Sequence, residues 1–289
     1  MTERPARGAA SSAGLRLLAQ HDLGGHGDGM QVIRAGDVLY VGHLGTSGMG
    51  TSILDVADPA RPAAAARWWW PGQREDEEPG WPAGRRYAAH HALIAGGRAY
   101  LGYDDAGMVV LDVTDITRPR QVAHLGWDGG STHTCLPLPG RGLVVATDEQ
   151  VTDGPHAPRR AVRVIDVAGA SPAVLAVCPH PDGFAAGPLR FGAHNLHENQ
   201  PGAYRSERVV FATYFSAGVR VYDLADPHHP VEVAHWVPEP PPGQAAAQIN
   251  DLFVDAGGLI WVTDRIAGGL YVLQAEPGLA ALMEEARLP

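Results

Sequence analysis

Short apolar runs alternate along this chain with turns rich in glycine, aspartate and proline, and the alternation is periodic. In the stretch Ala89 to Pro119, Ala92–Ala95 is apolar and Gly96-Gly97 makes a hairpin turn. Ala99–Tyr103 is a second apolar run, and Met108–Val113 is a third that stops at a turn-rich segment, Asp115 to Pro119. Runs of this length bounded by such residues predict strands rather than helices.

The third run carries a signature: an apolar pair, an aspartate, a short segment and a proline. It recurs as Ile53-Leu54-Asp55 to Pro62, Val110-Leu111-Asp112 to Pro119, Val164-Ile165-Asp166 to Pro172 and Val221-Tyr222-Asp223 to Pro230. The aspartates are 57, 54 and 57 positions apart, and a fifth copy, Gly269 to Gln274, has lost both the aspartate and the proline. Units of short strands at this period predict a propeller whose blades are small sheets around an axis. Fourth strands are expected at Ala63–Trp68, Gln121–Leu125, Ala173–Cys178 and Val231–Trp236, but no suitable run follows Leu273. Leu15–Leu23 is therefore expected to be the outer strand of the last blade, closing the ring without exposed edges. The reading is all-β: a disordered lead-in at 1–13, a five-bladed propeller over 14–275, and a tail at 276–289 for which a helix is open.

On these residues the chain resembles the LVIVD-repeat proteins, a propeller family named for its aliphatic-aspartate third strand. The resemblance covers about 260 residues and implies architecture far more than function.

Composition narrows the partners. With Lys+Arg 22 against Asp+Glu 32, the net charge of −10 disfavours nucleic acid and anionic membrane surfaces. Residues 1–14 hold no apolar run long enough for a signal peptide or a span, so the cytoplasm is the default expectation. Cys135 and Cys178 are too few for a disulfide framework, though a single bridge is compatible with the sequence.

Several loops ask for a role. Gly45 to Gly50 lacks the Lys-Ser/Thr pair and the following helix of a phosphate loop. Trp68 to Pro82 holds four of the seven tryptophans around an acidic run, and reads equally as a lid over a substrate or as packing between blades. Two further long connections run from Glu149 to Arg160 and from Glu198 to Glu207. The repeated aspartates, at strand ends beside turns, are expected to cap those turns rather than bind calcium.

Histidines stand at the start of the first strands: His90-His91 in copy two, His133 in copy three and His194 in copy four, with Asn250-Asp251 in copy five. The ends of the second strands add His43, Tyr103-Asp104, Asp148-Glu149, Tyr214 and Asp264-Arg265. Equivalent positions of successive blades converge on the propeller axis, which makes a shared metal the sharp reading. The expected ligands are His91, His133 and His194, joined by His43. His91 is favoured over His90 because an aliphatic strand follows it directly. Neutral imidazoles backed by carboxylates suit a divalent transition metal such as Fe, Zn or Mn. His197 is expected to pack rather than bind, since residues three apart on a strand face opposite sides.

The arrangement is similar in principle to the axial histidines that hold non-haem iron in carotenoid-cleaving oxygenases, which are also propellers. Those have seven blades and lack this repeat, so the similarity implies an axial site and not a substrate. The expected function is a metalloenzyme acting on a small organic molecule, either oxygenase-like or a hydrolase or lyase. Asp148, Glu149 and Asp264 are its candidate acids and bases, Tyr103 and Tyr214 line the site, and Arg265 clamps a carboxylate. The rival is a non-enzymatic scaffold that presents the Trp-rich loop to a protein partner. No serine elbow or dinucleotide fingerprint is present.

Overall fold

The computed structural model describes residues 17–21, 23–24, 29–43, 50–73, 77, 80–154, 160–169, 171–184 and 187–289. These form five small antiparallel sheets in which neighbours in sequence are neighbours in space. The first sheet is β1 (Gly29–Ala35), β2 (Val38–His43), β3 (Thr51–Asp55) and β4 (Ala63–Trp68). The second is β5 (Ala92–Ala95), β6 (Arg98–Gly102), β7 (Met108–Asp112) and β8 (Arg120–Leu125). The third is β9 (Thr132–Leu138), β10 (Leu143–Asp148), β11 (Val162–Asp166) and β12 (Ala173–Val177). The fourth, β13 (Val209–Thr213), β14 (Val219–Asp223) and β15 (Val231–Trp236), has three strands. So has the fifth, β16 (Ile249–Val254), β17 (Leu259–Asp264) and β18 (Leu270–Gln274).

The chain divides into two compact units, one comprising Met1–Leu101 and Val110–Val122, the other Gly102–Val109 and Ala123–Pro289. The division passes through the second sheet. In the first unit Val41, Leu54 and Val56 form a buried cluster. In the second, Tyr204, Phe211, Val221, Ile249, Val254 and Val262 belong to a larger one.

The repeat signature has a direct local cause. Asp55, Asp112, Asp166 and Asp223 each accept a hydrogen bond on Oδ1 from the backbone N–H two residues on, at 2.9, 3.0, 2.8 and 2.8 Å. Each ends its strand by closing an Asx turn. In copies one, two and four a second aspartate three residues later, Asp58, Asp115 or Asp226, does the same for the residue two beyond it.

Two expectations are corrected. The first strand of copy four is absent as a strand: 193–197 runs beside β13 with one isolated bridge, Leu196 to Ala212, and irregular backbone bonds such as His194 N to Thr213 O at 2.9 Å. The strand expected at Leu15–Leu23 falls partly outside the described residues, and the described ones, 17–21 and 23, have no strand assigned. The two cysteines are separate free thiols, both buried. Burial pushes the Cys178 thiol up to about 12.

At the far end, Pro277–Glu285 forms a helix, α1, which opens with proline at a first-turn position where its missing N–H costs nothing. It docks on the copy-four connection between Glu198 and Glu207. Tyr204 donates its hydroxyl to Met283 O at 3.0 Å, Ser206 donates to Ala286 O at 3.0 Å, and Leu288 N donates to Arg205 O at 2.8 Å. Met283 is buried in the larger cluster. That connection is therefore the seat of the helix.

Candidate metal centre

A repeated contact sets the register of the histidines. Near the end of the second strand in copies one to four stands a residue pressed against the carbonyl of the next copy's candidate position. In copy one it is Gly42, where a Cβ would lie 2.3 Å from His90 O; in copy two it is Gly102, where a Cβ would lie 2.1 Å from His133 O. In copies three and four a threonine takes the place and turns the contact into a hydrogen bond: Thr147 Oγ1 donates to His194 O at 2.5 Å, and Thr213 Oγ1 donates to Asn250 O at 2.9 Å. The equivalent positions are thus His90, His133, His194 and Asn250. His90 thus takes the place in this register that His133 and His194 take in theirs, because Gly42 packs on the His90 carbonyl, and His91, favoured from strand spacing, is the buried residue next to it. Gly102→Ala is expected to cost about 1–3 kcal/mol, since backbone must move to admit the methyl; chemical denaturation of the variant against wild type measures it.

In the second unit this register brings His133, Glu149 and His194 together. One ligand atom from each lies within 4.8 Å of the others, so the cluster could hold a metal ion. Both histidines are buried and their ring centroids are 4.2 Å apart. His194 Nδ1 is 2.7 Å from Asn250 O, so it carries the proton and donates, which leaves Nε2 as the nitrogen with a lone pair. That Nε2 stands 3.7 Å from Glu149 Oε1. Two donors on one tetrahedral ion with bonds near 2.1 Å would be about 3.4 Å apart, so the pair needs little movement to bind. His133 Nδ1 is 2.9 Å from Thr134 Oγ1.

Arg190 and Phe215, neither of which stood out in the sequence, frame the cluster. Arg190 Nη1 donates to Glu149 Oε1 at 3.0 Å and so orients the carboxylate. Phe215 is fully buried with its ring 4.6 Å from that of His194. It adopts φ +41°, a left-handed conformation uncommon for a bulky residue, as does Asp104 at the same place in copy two.

Asp148 is fully engaged: its carboxylate accepts from Trp127 Nε1 at 2.9 Å, from Thr132 Oγ1 at 3.3 Å and from Arg163 Nη1. Burial pushes the Asp264 carboxyl up, but backbone N–H groups of Gly268, Gln248, Ile266 and Ala267 outweigh it and hold the group below its usual range. Arg265 is exposed beside Phe215. Tyr103 and Tyr214 are fully buried, and burial raises the Tyr214 phenol strongly. His197 is buried too, with Nε2 2.8 Å from Tyr204 O and Nδ1 accepting from Val254 N at 3.1 Å. Both its nitrogens hold backbone.

In the first unit His43 is buried with Nε2 2.9 Å from Ser52 Oγ. His90 and His91 are buried with ring centroids 5.7 Å apart. The Trp-rich connection folds on itself: Trp81 stacks on Tyr87 at 4.7 Å, and Trp70 meets the same ring edge-on at 5.4 Å.

No family model matches the chain, and no curated protein matches it in sequence. Solved structures do resemble it in fold. A hypothetical selenium-binding protein from Sulfolobus tokodaii shares 14% identity at a TM-score of 0.57, with 86% of this chain and 62% of that one covered. A protein from Lactobacillus plantarum gives the same identity and TM-score, with 86% and 68% covered. This chain thus spans less than two thirds of the Sulfolobus protein. The likeness is one of fold, and both neighbours are propeller-like.

Proposed function

We propose that the protein is a metal-dependent enzyme of five-bladed, LVIVD-type propeller architecture, in which His133, Glu149 and His194 hold one divalent transition ion and act on a small organic molecule. The observation that carries the reading is the triad of donors within 4.8 Å, with His194 already held in the tautomer that offers Nε2. Two imidazoles and one carboxylate suit zinc or non-haem iron with coordination positions left open. When bound, such an ion would polarise a carbonyl or acidify a water. The chain's own residues then do the positioning: Arg190 fixes Glu149, Asn250 O fixes His194, and the Phe215 ring shields one side of that imidazole.

The test is metal content. Protein incubated with Zn(II) or Fe(II) and dialysed is expected to keep about one ion per chain by elemental analysis at neutral pH. Retention should fall on acidification, because protons compete with the ion for the imidazole nitrogens. Zinc retained would direct the search for a reaction to hydrolysis or elimination, and iron to oxygen chemistry. No retained ion at pH 7.5 would overturn the reading. The scaffold alternative has less behind it, since Trp70, Trp81 and Tyr87 spend their faces on one another.

A further inference from the structure

Glu149, Phe215 and Arg265 occupy the same place in copies three, four and five, two residues beyond Thr147, Thr213 and Thr263. Their surroundings differ in one telling respect. The Arg190 guanidinium lies over the Phe215 ring at 5.8 Å, but its charge is met by Glu149 at 3.0 Å and by Asp153 at 4.0 Å. The Arg265 guanidinium lies over the same ring at 5.7 Å, its backbone pinned by a hydrogen bond from Arg265 N to Gln248 O at 3.0 Å. It meets no carboxylate among the described residues. An exposed arginine held on an aromatic face, with no carboxylate partner among the described residues, can meet an external anion. His194, with Nε2 turned to Glu149, packs on that ring at 4.6 Å. Ser216, the next residue, has a buried hydroxyl with no hydrogen-bond partner, which a bound polar group would satisfy.

The geometry points to Arg265 as the anchor for a carboxylate on the substrate, with the reacting end of that molecule at the ion held by His133, Glu149 and His194. This rests on the metal reading above and names its substrate class: a small organic carboxylate. The guanidinium fork matches a carboxylate in two parallel hydrogen bonds, and the Phe215 face lets it stay charged and oriented while solvent is displaced. Arg265 touches the non-reacting end, so its loss should weaken binding of the acid and leave neutral ligands alone.

The experiment uses Co(II)-loaded protein and two probes of equal shape, imidazole-4-acetate and imidazole-4-acetamide, whose ring nitrogen reports on the ion through the Co(II) visible spectrum. Wild type is expected to bind the acid at least about tenfold more tightly than the amide. R265Q should bring that ratio to about one, and R265K should keep only part of it. An unchanged ratio in R265Q, with Co(II) bound, would overturn the carboxylate anchor while leaving the metal centre standing. If wild type takes up no Co(II), the metal reading fails, and the anchor is read separately from the Arg265 guanidinium 15N shift in metal-free protein. Movement with the acid and not the amide then supports the anchor; no movement overturns it.

Discussion

His194→Ala is expected to weaken Zn(II) binding by about a hundredfold or more in competition with a chromophoric chelator. Loss of a group that merely orients a ligand commonly costs ten- to a hundredfold, and His194 is itself a donor in the triad. Its place among Asn250 O, Glu149 and Phe215 is lined by groups already committed to the imidazole or to Arg190. Alanine at His124, His180 or His229 is the control. His124 bonds Ala106 O at 2.7 Å, while His180 and His229 pair with Asp182 and Asp226 at local turns. Affinity in those variants should be unchanged. Glu149→Gln, which keeps the shape and removes the charge, should fall between, and equal affinity in H194A and wild type would sink the triad. His90→Ala and His91→Ala examine the further ligand expected from the sequence.

Asp148→Ala carries the largest expected loss of stability, about 3–5 kcal/mol by urea unfolding. The carboxylate is buried and holds three donors, among them the Arg163 guanidinium that also lies over Trp127 at 4.9 Å. Removing the acid leaves a largely buried cation with no counter-charge. Replacing both partners, as in D148A/R163M, should recover part of the loss because neither charge is then stranded. A cost below about 1 kcal/mol for D148A would mean that solvent reaches the guanidinium and that the pair is not structural.

A buried aspartate at a strand end next to a glutamate looks like an acid–base group, and only the pairing of Ala146 with Arg163 across β10 and β11 reveals the cation that claims it. Strands and turns were legible because their causes are local: apolar runs, paired glycines and aspartates that bind the amide two residues on. The convergence of His133 and His194 was legible as well, because a repeat places equivalent residues alike. Register was not. Gly42 aligns His90 with His133 and His194 through a carbonyl contact with a residue 48 positions away, which no local pattern encodes. Arg190 and Phe215 escaped for other reasons: Arg190 lies outside the strands, and Phe215, at the place that Glu149 and Arg265 fill with charge, needs a left-handed backbone that composition does not announce.

The seating of α1 gives the second unit a time order. Its anchors join residues 79 and 80 positions apart, Tyr204 to Met283 and Ser206 to Ala286. On a ribosome adding about 5–20 residues per second, the copy-four connection would wait roughly 4–16 s for the helix that completes it. During that interval β13, β14 and β15 can pair, while Tyr204 still lacks the Met283 side chain it will cover. Copies four and five should therefore consolidate together and late, as one cooperative step, however early their individual hairpins form.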